Sequence, residues 1–118
     1  MIASVGGEDH FKIVHDTFHH TLADGGPIFP EMTGIVHISA VVDPKLGVSQ
    51  LEDEHRVLVD EHDRLGNVEQ IASLLAAGYD GPVSYECFSP ETHALDDPYS
   101  KIKRSFDFIS SRLQALAA

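Results

Sequence analysis

The nine residues Gly34-Ile-Val-His-Ile-Ser-Ala-Val-Val42 constrain this chain more than any other stretch. The run is too short for a stable buried helix and rich in β-branched side chains, so it predicts a central strand. Two shorter runs of the same character, Lys12-Ile-Val-His-Asp16 and Val83-Ser-Tyr-Glu-Cys-Phe88, stand on either side of it. The segments between the runs are too long for hairpins and long enough for crossovers, which predicts an α/β fold with a parallel sheet.

The connecting segments carry their own punctuation. Met1–Val5 reads as the last turn of a helix that Gly6-Gly7 ends, and Thr17–Asp24 as a helical turn broken by Gly25-Gly26-Pro27. Asn67–Ala77 reads as a helix with Asn67 as N-cap, Gln70 closing a capping box, and Val68, Ile71, Leu74 and Leu75 in one stripe. Asp97-Pro98 opens a last helix in which Tyr99, Ile102, Phe106, Ile109, Leu113 and Leu116 predict the face packed on the sheet. Lys101, Lys103, Arg104 and Arg112 predict its solvated face. Between strand and helix, Asp43–Gly66 is long and acidic, and reads as a solvated loop or as a lid over a site.

Composition excludes several partners. Eight Lys and Arg face nineteen Asp and Glu, and a formal charge of −11 repels phosphate backbones. No apolar run approaches the roughly 20 residues that a membrane-spanning helix needs. A single cysteine, Cys87, rules out an internal disulfide and agrees with a cytoplasmic location. With no base or positive field expected near it, Cys87 reads as a buried outward strand residue and not as a nucleophile.

Each predicted strand puts one metal-competent residue near its C-terminal end: Asp16, His37 and Glu86. In a parallel sheet these ends share one edge. Period-2 alternation gives each residue aliphatic or small companions on its face, namely Val14, Ile35 with Ser39, and Ser84, as the interior of a barrel requires. Two carboxylates and an imidazole suit Mn²⁺, Zn²⁺, Co²⁺ or Mg²⁺. The same residues would also serve as ordinary loop beginnings in a non-catalytic α/β binding or structural domain.

Asp16-Thr-Phe-His19, His37 in Ile-Val-His-Ile, Asp53-Glu-His-Arg56 and Gly78-Tyr-Asp-Gly-Pro-Val-Ser-Tyr-Glu-Cys-Phe-Ser-Pro-Glu91 occur in an order that resembles the sugar phosphate isomerase/epimerase superfamily. This is the xylose-isomerase-like TIM barrel group, and the segments look closest to inosose (2-keto-myo-inositol) isomerases. The resemblance implies a divalent metal held by Glu, Asp, His and Glu from four successive strands, of which Asp16, His37 and Glu86 match the last three. It also implies substrate contacts by His19 and Arg56, a sugar or cyclitol ketone as substrate, and proton transfer through an enediolate with Glu86 as one of the two carboxylate bases.

A (β/α)8 barrel takes about 250 residues. Residues 1–118 are therefore expected to form the C-terminal portion of such a barrel, a partial TIM barrel of strands 6 to 8 with their helices. Such a portion would be inactive or weak alone, and would associate with itself or with a chain supplying the missing strands. Metal-dependent DNA-repair endonucleases share the barrel, but the −11 charge and the lack of a basic groove argue against that branch.

Overall fold

The structure, a computed structural model, describes residues 1–117. Three strands, β1 (Ile13–Asp16), β2 (Thr33–Ile38) and β3 (Val83–Tyr85), form a sheet in the order β1-β2-β3, and both pairings are parallel. The crossover from β1 carries α1 (Thr17–Leu22), and the crossover from β2 carries α2 (Asn67–Ala76). After β3 come a single-turn helix, α3 (Pro90–His93), and the 20-residue α4 (Pro98–Ala117). The parallel α/β arrangement expected from the three β-branched runs is present; α3 was not anticipated. The expected N-terminal helical end is a 3-10 turn, Ala3–Val5, stopped by Gly6 at φ 67°.

One face of the sheet builds the core. Val36 and Ile38 of β2 are buried there with Ala40, Val59, Ile71, Leu74, Tyr79 and Ile109. A second cluster, Phe18 with Val41 and Leu65, closes over the C-terminal end of β1. The alternate residues point to the opposite face, where Val14 is 53% exposed and Ser84 is open to solvent. Gly34 marks the one irregularity: the β1–β2 register slips between Ile13 and Val14, and a Cβ on Gly34 would lie 2.8 Å from the Cβ of Lys12. Only glycine lets the backbones approach that closely there.

Three local expectations are corrected. Asn67 is not the N-cap of α2. Gly66 takes that position at φ 67°, and Asp63 does the capping, its carboxylate accepting the backbone N–H groups of Leu65 (2.9 Å) and Asn67 (2.8 Å). The apolar stripe assigned to α4 holds only in part. Ile109 is buried and Leu113 leans on the core as expected, but Tyr99, Ile102, Phe106 and Leu116 are exposed, and Ser105 and Phe108 join the packed face instead. Ser105 decides the phase: its hydroxyl donates to the Val59 carbonyl at 2.6 Å and accepts from Tyr85 Oη at 2.9 Å.

The third correction concerns the second half of 43–66: residues 43–54 are largely exposed, as expected of a solvated loop, but from Arg56 onward the segment is packed into the fold. An antiparallel bridge joins Ala40 to Val57, Arg64 N–H donates to the Val41 carbonyl at 2.9 Å, and Arg56, Val59 and Leu65 are buried. Val59 and Leu65 are its apolar residues given to the core, while Val48 stays 52% exposed among the acidic side chains.

Candidate functional site

Register builds the site. Asp16 pairs directly with His37 across β1–β2, and His37 pairs with Ser84 across β2–β3. Glu86 lies two residues beyond Ser84 on the same face, and its N–H continues the ladder to the Ile38 carbonyl at 2.9 Å. One ligand atom from each of Asp16, His37 and Glu86 falls within 4.8 Å of the others, the spacing a single cation could bridge. Among the described residues no other group of three such side chains gathers in this way. The donor set, two carboxylates and an imidazole, fits a divalent cation of the borderline or hard class.

Two of the three donors, Asp16 and Glu86, are tied down by Arg56 behind them. Asp16 is 9% exposed and caps α1: Oδ1 accepts the His19 N–H at 3.0 Å, and Oδ2 accepts from Arg56 Nη2 at 2.7 Å. Arg56 Nη2 also reaches Glu86 Oε2 at 3.2 Å, and His37 Nδ1 lies 3.1 Å from the same oxygen. The Arg56 side chain is 1% exposed, with its Nε donating to Ser39 Oγ at 2.8 Å and Nη1 to Asp53 at 3.1 Å. The rings of Phe18 and Phe88 sit 4.8 and 5.2 Å from its guanidinium carbon. Arg56 thus lies behind the carboxylates instead of facing the open groove.

That groove, about 520 Å³, is lined by Asp16, His37 and Glu86 together with His15, His19, His20, Val14 and Phe29. His19, one of the expected substrate contacts, is exposed on its wall. His15 is buried and its Nε2 lies 2.8 Å from Gln70 Oε1, while its ring centroid is 4.7 Å from that of His20. Burial and the neighbouring His15 hold His20 below the usual imidazole range. Cys87 stands apart from this chemistry. Burial pushes its thiol up to about 11, with Arg56 opposing and Glu86 reinforcing the shift, so the thiolate is scarce at neutral pH.

Burial alone would raise the Asp16 pKa. The His19 N–H, the Arg56 hydrogen bond and charge, and a hydrogen bond shared with Glu86 outweigh it, so the carboxyl lies below its ordinary 3.8. Burial likewise opposes the Arg56 charge, but its bonds to Asp16 and Asp53 and the charges of Asp16 and Glu86 raise its pKa. The sign for Asp16 follows from the depressed folded value. Its stabilisation is complete above the unfolded carboxylate range and disappears as pH falls through the folded value. In chelator-treated protein, Asp16→Asn should therefore flatten the loss of unfolding free energy with acid below about pH 4. Urea titrations across that range check it, and an unchanged acid limb would refute the assignment.

Sequence reasoning missed Ser39 and Asn67. Ser39 shares the His37 face and could have been flagged by alternation. Asn67 could not, because two of its three partners come from distant segments: Thr17 Oγ1 donates to its Oδ1 at 2.6 Å, and its Nδ2 donates to the Ser39 carbonyl (2.8 Å) and to nearby Asp63 (2.9 Å).

Comparison with known proteins adds a second line. The sequence pattern of the family described as xylose isomerase-like TIM barrel matches residues 1–112. A solved xylose isomerase domain containing protein from Salmonella typhimurium LT2 superposes with TM-score 0.80 and 29% identity, over 96% of this chain and 42% of that one. A structure of the IOLI protein with a binding zinc atom gives TM-score 0.73 and 24% identity, over 94% of this chain and 42% of its own; this is a likeness of fold. The three-stranded sheet and its helices thus match part of a TIM barrel, and the chain spans 42% of the length of each of these structures. No curated protein matches.

Proposed function

Because this chain belongs to the xylose isomerase-like TIM barrel family, and because Asp16, His37 and Glu86 gather within 4.8 Å at one end of its sheet, we propose that it carries part of the active site of a metal-dependent sugar or cyclitol isomerase or epimerase. That convergence is the observation that carries the reading. The 29% identity to a xylose isomerase domain protein supports it. The zinc in the IOLI structure makes zinc a reasonable first metal to test, alongside Mn²⁺, Co²⁺ and Mg²⁺. On this reading residues 1–118 are the C-terminal portion of the barrel domain.

Asp16, His37 and Glu86 would hold the cation, which supplies polarisation of a ketone and its neighbouring hydroxyl and stabilises the charge that develops there. Glu86 is suited to move the proton: at 34% exposure it reaches the groove, while Arg56 and His37 fix one of its oxygens. His19 on the groove wall would hold a substrate oxygen. Arg56, expected to touch substrate, takes a positioning part here, because its guanidinium is enclosed behind Asp16 and Glu86. The substrate class is a sugar or cyclitol ketone, with 2-keto-myo-inositol the first to try, in a cytoplasmic enzyme without nucleic-acid or membrane partners.

Water reaches the part of the sheet face that bears Val14 and Ser84, and proton transfer next to a carbonyl needs it excluded. Exposed Phe11, Val14 and Phe29 beside β1, and Tyr99, Ile102 and Phe106 beside β3, favour association with a second copy or with a chain that adds strands. Turnover of 2-keto-myo-inositol by the metal-loaded 118-residue chain should accordingly be weak, and size-exclusion chromatography should show an assembly larger than 12.9 kDa. Turnover as fast as that of an intact family enzyme from a strict monomer would overturn the dependence on association, and absence of metal binding would overturn the enzyme reading itself.

A further inference from the structure

We propose that Arg56, anchored by Ser39, is a resident cation of the carboxylate pair that weakens metal binding and keeps the metal exchangeable. This deepens the metal-site reading and rests on it. Nη2 lies 2.7 Å from Asp16 Oδ2 and 3.2 Å from Glu86 Oε2, so any cation drawn to these two carboxylates shares them with a fixed positive charge. A surface arginine would swing away as the cation arrived. This one is held. Its Nε is fastened to Ser39 Oγ at 2.8 Å, its ring neighbours enclose it, and its backbone is bonded on both sides, N–H to the Asp53 carbonyl at 3.0 Å and C=O to the Ser89 N–H at 2.9 Å.

Two consequences of opposite sign follow. Without metal, Arg56 compensates Asp16, a carboxylate that is 9% exposed and would otherwise be buried without a counter-charge. With metal, the same guanidinium repels it and leaves the carboxylate pair with one net negative charge instead of two. A residue of purely structural importance would behave differently: its loss would loosen the fold and the metal together. Removing a resident cation should loosen the fold and tighten the metal.

The test uses the chelator-stripped 118-residue chain, with Zn²⁺ and Mn²⁺ titrated calorimetrically into wild type, Arg56→Met, Arg56→Lys and Ser39→Ala, and thermal unfolding followed with and without metal. Arg56→Met should lower the melting temperature of the stripped chain yet bind metal roughly tenfold tighter, within the usual range for coupled sites. Arg56→Lys restores the charge and should return both readouts toward wild type. Ser39→Ala frees only Nε and should shift affinity the same way by a smaller factor. Folded Arg56→Met that binds metal no tighter than wild type overturns the proposal. If Arg56→Met does not fold, unchanged or weaker affinity in Ser39→Ala overturns it instead. Wild type that binds while the variants match it defeats only this inference; failure of every protein to bind either metal defeats the metal-site reading as well.

Discussion

Replacing His37 by alanine is expected to weaken divalent-metal binding by at least about 100-fold, beyond the 10–100-fold that follows loss of a group behind the ligands. With three donors from this chain gathered at the site, losing one removes the only imidazole and leaves two carboxylates. His37 is the clean probe because its side chain is 25% exposed and, among the described residues, pairs with Glu86 alone, so the fold should change by less than about 1 kcal/mol. Asp16→Ala would be ambiguous. It removes the cap of α1, worth about 1 kcal/mol, and leaves Arg56 without its closest counter-charge. Equilibrium dialysis with metal analysis, run beside urea unfolding, reads both quantities. Retained affinity in a folded His37→Ala protein would remove the imidazole from the site.

Asn67→Ala should cost about 3 kcal/mol, near the upper end for a single polar residue, since each buried group left unpaired costs roughly 1–3 kcal/mol. Asn67 is fully buried and joins Thr17, next to Asp16, to the Ser39 carbonyl, beside the hydroxyl that anchors Arg56, and to Asp63, which caps α2. The alanine would strand the Thr17 hydroxyl and the Ser39 carbonyl in the core. Thr17→Val alone should cost less, about 1 kcal/mol, because the asparagine keeps its other partners. The double variant should be less unstable than the sum of the two, which marks a shared bond. Additive losses in denaturant titrations would show that Thr17 and Asn67 act independently.

The sheet was legible because β-branched runs such as Ile35–Ile38 have little alternative, and because parallel neighbours need long crossovers of the kind present between these runs. Convergence of Asp16, His37 and Glu86 followed from alternation plus that parallel order. What resisted reading were residues whose role depends on where another segment comes to rest. Asn67 carries every local mark of a helix cap, but the helix is capped one residue earlier, at Gly66, and Asp63 accepts the Asn67 N–H, which leaves the amide for long-range bonds. In α4 the expected Ile109 and Leu113 are on the packed face, but Tyr99, Ile102 and Phe106 are displaced from it by Ser105, whose hydroxyl meets the Val59 carbonyl and Tyr85. Arg56 lies in a charge-rich segment that looks solvated; only the return of that segment beneath Phe18 and Phe88 buries it.

The open face of the sheet has an electrostatic consequence of its own. Glu86 and His37 sit on a wall facing water, 34% and 25% exposed, where a unit charge pair 4 Å apart is worth about 1 kcal/mol, against about 4 kcal/mol at an effective dielectric of 20. Covering that wall with further strands would strengthen every charge interaction at the site, the attraction of the carboxylates and the repulsion of Arg56 alike, without moving a ligand. On the proposed reading, closure and metal uptake would be thermodynamically linked: by whatever factor a covering chain changes affinity for the cation, the cation changes affinity for that chain.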